Sequence, residues 1–176
     1  MEENGPIKLQ VVLYHPEIPQ NTGNVARTCA ATHTPLHLIE PLGFFLTDRR
    51  LKRAGLDYWS SVEVTVHSSL QALKDQLPEH RLVYFSRNGA IKHYDFPFCP
   101  GDCLVFGSET RGLPRELLEA HCEKVVRIPM DHSCVRSLNL ATTVGIALFE
   151  ALRQLATRIG NCIAPQLRED TMDERL

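Results

Sequence analysis

Short apolar, largely β-branched runs alternate with amphipathic stretches along most of the chain. Lys8–Tyr14 (KLQVVLY), Leu36–Ile39, Val62–Val66, Leu82–Phe85, Cys103–Phe106 and Lys124–Ile128 predict strands, each bounded by Gly, Pro or polar residues. Between them, helical spacing predicts helices over about 21–32, 48–55, 69–77 and 114–121, with a longer one over about 138–158. In the last, Leu140, Ala141, Val144, Leu148, Ala151, Leu152 and Leu155 fall on one face, the stripe of a helix packed on a core. Pro114 suits the first turn of the fourth helix, where its missing N–H costs nothing. Strand–helix alternation at these lengths implies an α/β fold: a mostly parallel six-stranded sheet with helices on both faces.

Composition narrows this only slightly. The chain has 176 residues, which predicts one domain over 1–176, with a core of about 8–158 and a short polar tail over about 159–176. The net charge of −2 argues mildly against a dedicated nucleic-acid protein. However, Gln166–Leu176 alone carries two Arg against two Asp and two Glu, so residues 1–165 are neutral and any basic surface is a local patch. Six cysteines, none in a CxxC pair, read as reduced thiols. The polar opening MEENGPIK has no secretory or presequence character, and no apolar run reaches the roughly 20 residues of a membrane span. A cytoplasmic protein without membrane contact is expected.

Several chemistries are excluded by spacing. No two of the ten glycines are closer than five apart, so a GxGxxG dinucleotide fingerprint is absent. Gly107 and Gly112 have P-loop spacing, but Leu113 and Pro114 stand where Lys and Ser/Thr are needed. Cys99 and Cys103, with His121 and Cys122, lack a second well-spaced ligand pair, so no metal is expected. Neither HExxH nor GxSxG occurs.

Three segments at predicted strand ends carry more. Pro16–Cys29 (PEIPQNTGNVARTC) follows the first strand; Asn21 can cap a helix and Arg27 follows more than a turn later. Alone, it reads more readily as a capped helix with a solvated arginine than as a functional segment. Leu104–Pro114 (LVFGSETRGLP) leaves the fifth strand, with Gly107 permitting a close backbone approach and Glu109 and Arg111 in the loop. Arg127–Leu148 sets Arg136, Ser137 and Asn139 at the mouth of the long helix, where Ser137 is a credible N-cap.

With these segments, LHLIEPLGF and LKRAGLDYW (within Leu36–Trp59) and EALRQ complete a specific pattern. The chain resembles the SPOUT superfamily of RNA methyltransferases, and within it the minimal tRNA wobble-nucleotide 2′-O-methyltransferases of the TrmL/YibK-like group. The resemblance covers almost all of Val11–Gln154. It implies a C-terminal trefoil knot, a homodimer, and S-adenosylmethionine as cofactor, lying against Phe85, Gly107, Ile128 and Ser137. It also implies a tRNA substrate, a cytidine or modified uridine at the wobble position, and catalytic positions at Asn21, Arg27, Glu109, Ser137 and Asn139.

The reaction implied is displacement of a sulfonium methyl by a ribose 2′-oxygen, with no metal required. A guanidinium, ordinarily protonated up to about pH 12, is a poor general base. Arg27 is therefore expected to bind a neighbouring phosphate and stabilise the developing oxyanion. RNA contacts are expected from Arg49, Arg50, Lys52 and Arg53 on the second predicted helix, and from Arg87, Arg111 and Arg136 in loops. Two departures from the family pattern touch the third segment: Asp131–Val135 is one residue longer than usual, and Ala141-Thr142 replaces a common Ser-Asn. Methylation of another tRNA or rRNA site, or a catalytically silent RNA-binding knot protein, are the alternatives.

Overall fold

β1 (Gln10–Tyr14), β2 (Leu36–Ile39) and β6 (Cys103–Phe106) are almost wholly buried, which explains why they read as near-continuous apolar runs instead of alternating ones. The structure, a computed structural model, describes residues 8–46, 61–131 and 133–158. The other described elements are α1 (Pro19–Ala31), β3 (Val64–His67), α2 (Leu70–Gln76), β4 (Leu82–Phe85), β5 (Ile91–Lys92), α3 (Arg115–Ala120), a 3-10 turn at Cys122–Lys124, β7 (Val125–Arg127) and α4 (Leu140–Arg158). Among the described residues the strands form one sheet in the order β3-β2-β1-β6-β4-β7-β5, with every pairing parallel.

The pleat sends alternate side chains to two separate cores. Val11, Leu13, Leu36, Leu38, Val83, Phe85, Leu104 and Phe106 pack with Val25, Ala26 and Cys29 of α1 and with Val144, Leu148 and Ala151 of α4. Val12, Ile39, Tyr84, Cys103 and Val105 face the opposite way, against Leu73 of α2 and Leu117 and Leu118 of α3. Helices on both faces are therefore as expected. Burial pushes the Cys29 and Cys103 thiols up to about 12, so both behave as small apolar residues.

The structure corrects the expected elements at several points; β1 starts at Gln10, not Lys8, and β3 is Val64–His67, not Val62–Val66. Among the described residues there are seven strands where six are expected, because the two-residue β5 pairs with β7. The last strand is Val125–Arg127, shorter than Lys124–Ile128, which leaves Ile128 beyond the strand. α1 begins at Pro19, with Ile18 as N-cap and no side-chain cap, so Asn21 lies inside the first turn and is not the cap. At α4, Asn139 Oδ1 accepts from Ala141 N at 2.8 Å, so Asn139 takes the capping role expected of Ser137. The helix expected over 48–55 lies outside the described residues. No described helix is long and apolar enough to cross a membrane.

One polar group is buried on the α2 side of the sheet. His37 Nδ1 lies 2.9 Å from His67 Nε2, and His37 Nε2 lies 3.0 Å from Gln10 Oε1. Gln10 Nε2 donates to Lys8 O at 3.2 Å, which fixes Oε1 as the atom facing His37. His37 must then donate from Nε2 and accept at Nδ1, and it does so as the neutral ring. Burial, reinforced by His67 and His80, holds its pKa down at about 4.

At the carboxyl edge, β1 lies beside β6, and the chain leaves β1 for α1 on one face and β6 for α3 on the other. Such a reversal of strand order opens a crevice where ligands bind in parallel sheets. The loops that follow β1, β6, β4 and β7 gather beside it.

Candidate active site

A cavity of about 630 Å³ opens among these loops. Its apolar side is set by Phe85 and Phe106, whose rings stack with centroids 4.7 Å apart across β4 and β6. Ile128, just beyond β7, and Leu140, at the start of α4, extend that side. Asn88, Ser108 and Asn139 supply polar atoms on its walls.

Gly107 has no room for a side chain. A Cβ there would fall on the backbone of Gly112 and Leu113, so only glycine lets the β6–α3 loop fold back on itself. Gly112 closes the loop with φ +70°, donating from its N–H to Ser108 O at 2.9 Å. Arg111 N donates to Ser108 Oγ at 3.2 Å. The loop is thus a tight, internally bonded turn.

The three segments singled out in the sequence meet at Asn21. Its Nδ2 donates to Glu109 Oε1 at 2.9 Å, and its Oδ1 accepts from Asn139 Nδ2 at 2.8 Å. Glu109 also accepts the backbone N–H groups of Glu17 at 2.8 Å and Ile18 at 3.2 Å. A carboxylate thus sits at the start of α1, in place of the absent side-chain cap, where the helix dipole favours negative charge. With Asn139 capping α4, one chain of hydrogen bonds links both helix starts through the β6–α3 loop.

The structure brings together Phe85, Gly107, Ile128 and Ser137, all lining the cavity, with Asn21, Glu109, Asn139, Arg87 and Arg111. It does not bring Arg27 or Arg136 there. Arg27 is exposed on α1 and Arg136 is exposed beside Ser137, and neither lines the cavity. Arg49, Arg50, Lys52 and Arg53 lie outside the described residues. Among the described residues no group of three or more His, Cys, Asp or Glu could hold a metal ion.

Sequence reasoning missed Glu17 and Thr110. Glu17 Oε1 accepts the Thr110 hydroxyl at 2.7 Å and its Oε2 accepts Thr110 N at 3.1 Å. Both lie inside the strand-end segments, but nothing local marks a contact across 93 positions. Arg115 also lines the cavity, although its place in a helical pattern gives no sign of it.

A parallel sheet that gathers several loops around one carboxyl-edge cavity defines an open α/β ligand-binding protein. The chain belongs to the SpoU rRNA Methylase family, whose model matches residues 8–149. It is 52% identical over 147 residues to a tRNA (cytidine(34)-2'-O)-methyltransferase of Burkholderia cenocepacia, covering 82% of this chain and 94% of that one. A protein of the same name from Saccharophagus degradans is 50% identical over 147 residues, with the same two coverages. Among solved structures, one described as "Structural insights into the 2-OH methylation of C/U34 on tRNA" superposes with a TM-score of 0.81 at 54% identity, over 88% of this chain and all of that one. The SpoU methyltransferase AviRb from Streptomyces viridochromogenes, solved with AdoMet, has a TM-score of 0.75 at 26% identity, over 89% of this chain and 60% of that one.

Proposed function

We propose that this protein transfers the methyl group of S-adenosylmethionine to the ribose 2′-oxygen of the tRNA wobble nucleotide, a cytidine or modified uridine. The observation that carries this reading is the convergence of Asn21, Glu109 and Asn139 on one cavity, in a chain about half identical to enzymes named for that reaction. Their names place the methyl on cytidine 34, and the 54%-identical solved structure, which concerns C/U34, adds uridine.

The cavity fits the cofactor in size, since ligand pockets run from about 300 to 1,000 Å³. Phe85 and Ile128 offer apolar contact, Ser137 a hydroxyl, and Gly107 a backbone that a ligand can approach closely. S-adenosylmethionine supplies a methyl group already activated by its positive sulfur. Asn21, Glu109 and Asn139 hold the walls of the cavity in register and keep the β6–α3 loop from drifting. Arg27 binds a phosphate next to the target ribose and stabilises the 2′-oxyanion as it forms. Arg87, Arg111 and Arg136 contact further phosphates, together with Arg49, Arg50, Lys52 and Arg53.

Arg27 lies outside the cavity lining of its own chain, so we assign its action to the cavity of a second copy. α1 packs beside α4, and α4 exposes Ile146 and Phe149 at 36% and 52% of their surface. Apolar side chains one turn apart on an exposed helix face favour a homodimer built on that side. The same reading takes the segment between β7 and α4 as part of a C-terminal trefoil knot.

A second reading, methylation of ribosomal RNA, is favoured by the family description. Nucleoside mass spectrometry of tRNA and rRNA from cells with and without the protein separates the two. Loss of 2′-O-methylation at the wobble position is expected; loss confined to rRNA would overturn the proposal.

A further inference from the structure

Two glutamates tie the β1–α1 turn to the β6–α3 loop, and each acts in the opposite direction to the other. Glu109, in the loop, accepts Glu17 N and Ile18 N from the turn. Glu17, in the turn, uses both carboxylate oxygens on Thr110, at 2.7 Å to the hydroxyl and 3.1 Å to the N–H. Within the loop, Arg111 N and Gly112 N are satisfied by Ser108. Thr110 N, at the loop tip, is the one of these three whose partner lies outside the loop.

Glu17 itself stands on a fixed backbone. Gly43 N donates to Pro16 O at 2.9 Å, and a Cβ on Gly43 would collide with the Glu17 backbone. The turn is therefore braced from the β2 side, and the loop tip is braced against the turn. Arg111 follows Thr110 directly, and its exposed side chain reaches the cavity rim. A carboxylate beside an RNA-binding rim would by itself repel phosphates. What Glu17 does at that rim is hold Thr110.

We infer that Glu17 is a positioning residue for RNA: by gripping Thr110 it fixes Arg111 at the rim of the cavity. The inference rests on the proposed reading of the site as a tRNA methyltransferase. Cofactor contacts at Phe85, Gly107, Ile128 and Ser137 do not pass through Glu17, so the two binding events should separate.

The test compares wild type with Glu17→Ala, Thr110→Val, Thr110→Ser and the Glu17→Ala/Thr110→Val double variant. Steady-state methyl transfer gives KM for tRNA, filter retention at fixed salt gives RNA affinity, and calorimetry gives S-adenosylmethionine affinity. Glu17→Ala and Thr110→Val should each weaken RNA about tenfold, equivalent to about 1.4 kcal/mol. S-adenosylmethionine affinity should stay within about twofold, and Thr110→Ser should stay near wild type. The double variant should be no worse than Glu17→Ala, because the hydroxyl bond that Thr110→Val removes is already lost with the Glu17 carboxylate.

Tighter RNA binding by Glu17→Ala would show that only its charge matters and would overturn the inference. So would unchanged binding, fully additive losses, or an equal loss of cofactor affinity. If Glu17→Ala does not fold, Thr110→Val carries the same comparison. A wild-type protein that binds tRNA without methylating it would contradict the functional reading instead, while the RNA affinities still decide the role of Glu17.

Discussion

Asn21 Nδ2 donates to Glu109 Oε1 at 2.9 Å, although 88 positions separate the two residues. Asn21 can do this only because its other amide atom accepts from Asn139, which leaves its donor group turned toward the carboxylate. Asn21→Asp would set two carboxylates against each other and remove the donor. A hydrogen bond to a charged group contributes about 1.5–3 kcal/mol, so kcat/KM for methyl transfer should fall roughly 10- to 100-fold. Activity within about twofold of wild type would show that the three segments are held by other contacts.

Gly107→Ala places a methyl group on the Gly112–Leu113 backbone. That clash cannot be relieved by rotating a side chain. Urea denaturation should show a loss of about 2–4 kcal/mol, at the severe end for a single substitution. Affinity for S-adenosylmethionine should fall in any variant that still folds. A stability change under about 0.5 kcal/mol would mean that the loop has slack absent from the structure.

Arg27→Lys keeps the positive charge but loses the planar, two-pronged donor set. If Arg27 both grips a phosphate and stabilises the oxyanion, kcat should fall about 100-fold, with the fold and oligomeric state unchanged. Near wild-type kcat in single-turnover assays would leave only a point-charge role.

His37 makes stability depend on pH in a definite direction. Folding holds its pKa at about 4, below the ordinary 6.5, chiefly through burial and then through His67 and His80. The unfolded chain therefore binds the proton more readily. The stability that neutral His37 contributes is fully present above pH 6.5 and is lost as the pH falls toward 4. The loss reaches about 3 kcal/mol, and the lowered pKa of His67 acts in the same direction. Urea titrations from pH 7.5 to 4.5 should show it, and His37→Gln should flatten the dependence. An equal slope in that variant would assign the effect to other groups.

The sequence displayed the buried parallel strands plainly, because β1, β2 and β6 lie deep in the sheet and need apolar residues on both faces. It hid β5, since two residues carry no period and Ile91–Lys92 is a strand only through its pairing with β7. It misled at both helix starts. Asn21 and Ser137 have capping chemistry, but Pro19 starts α1 earlier and Asn139 lies closer to α4. The cavity residues were legible through motif resemblance, and the strand ends then gather them. The Glu17–Thr110 contact was not legible, because a polar pair across two loops leaves no mark on either segment.

The central claim is that the methyl acceptor is the ribose oxygen of the wobble nucleotide. It is tested most directly with two synthetic tRNA anticodon stem-loops, identical except that one carries a 2′-deoxy wobble nucleotide. With labelled S-adenosylmethionine, the ribose form should accept close to one methyl per molecule and the deoxy form none. Equal labelling of both would place the methyl elsewhere and contradict the account.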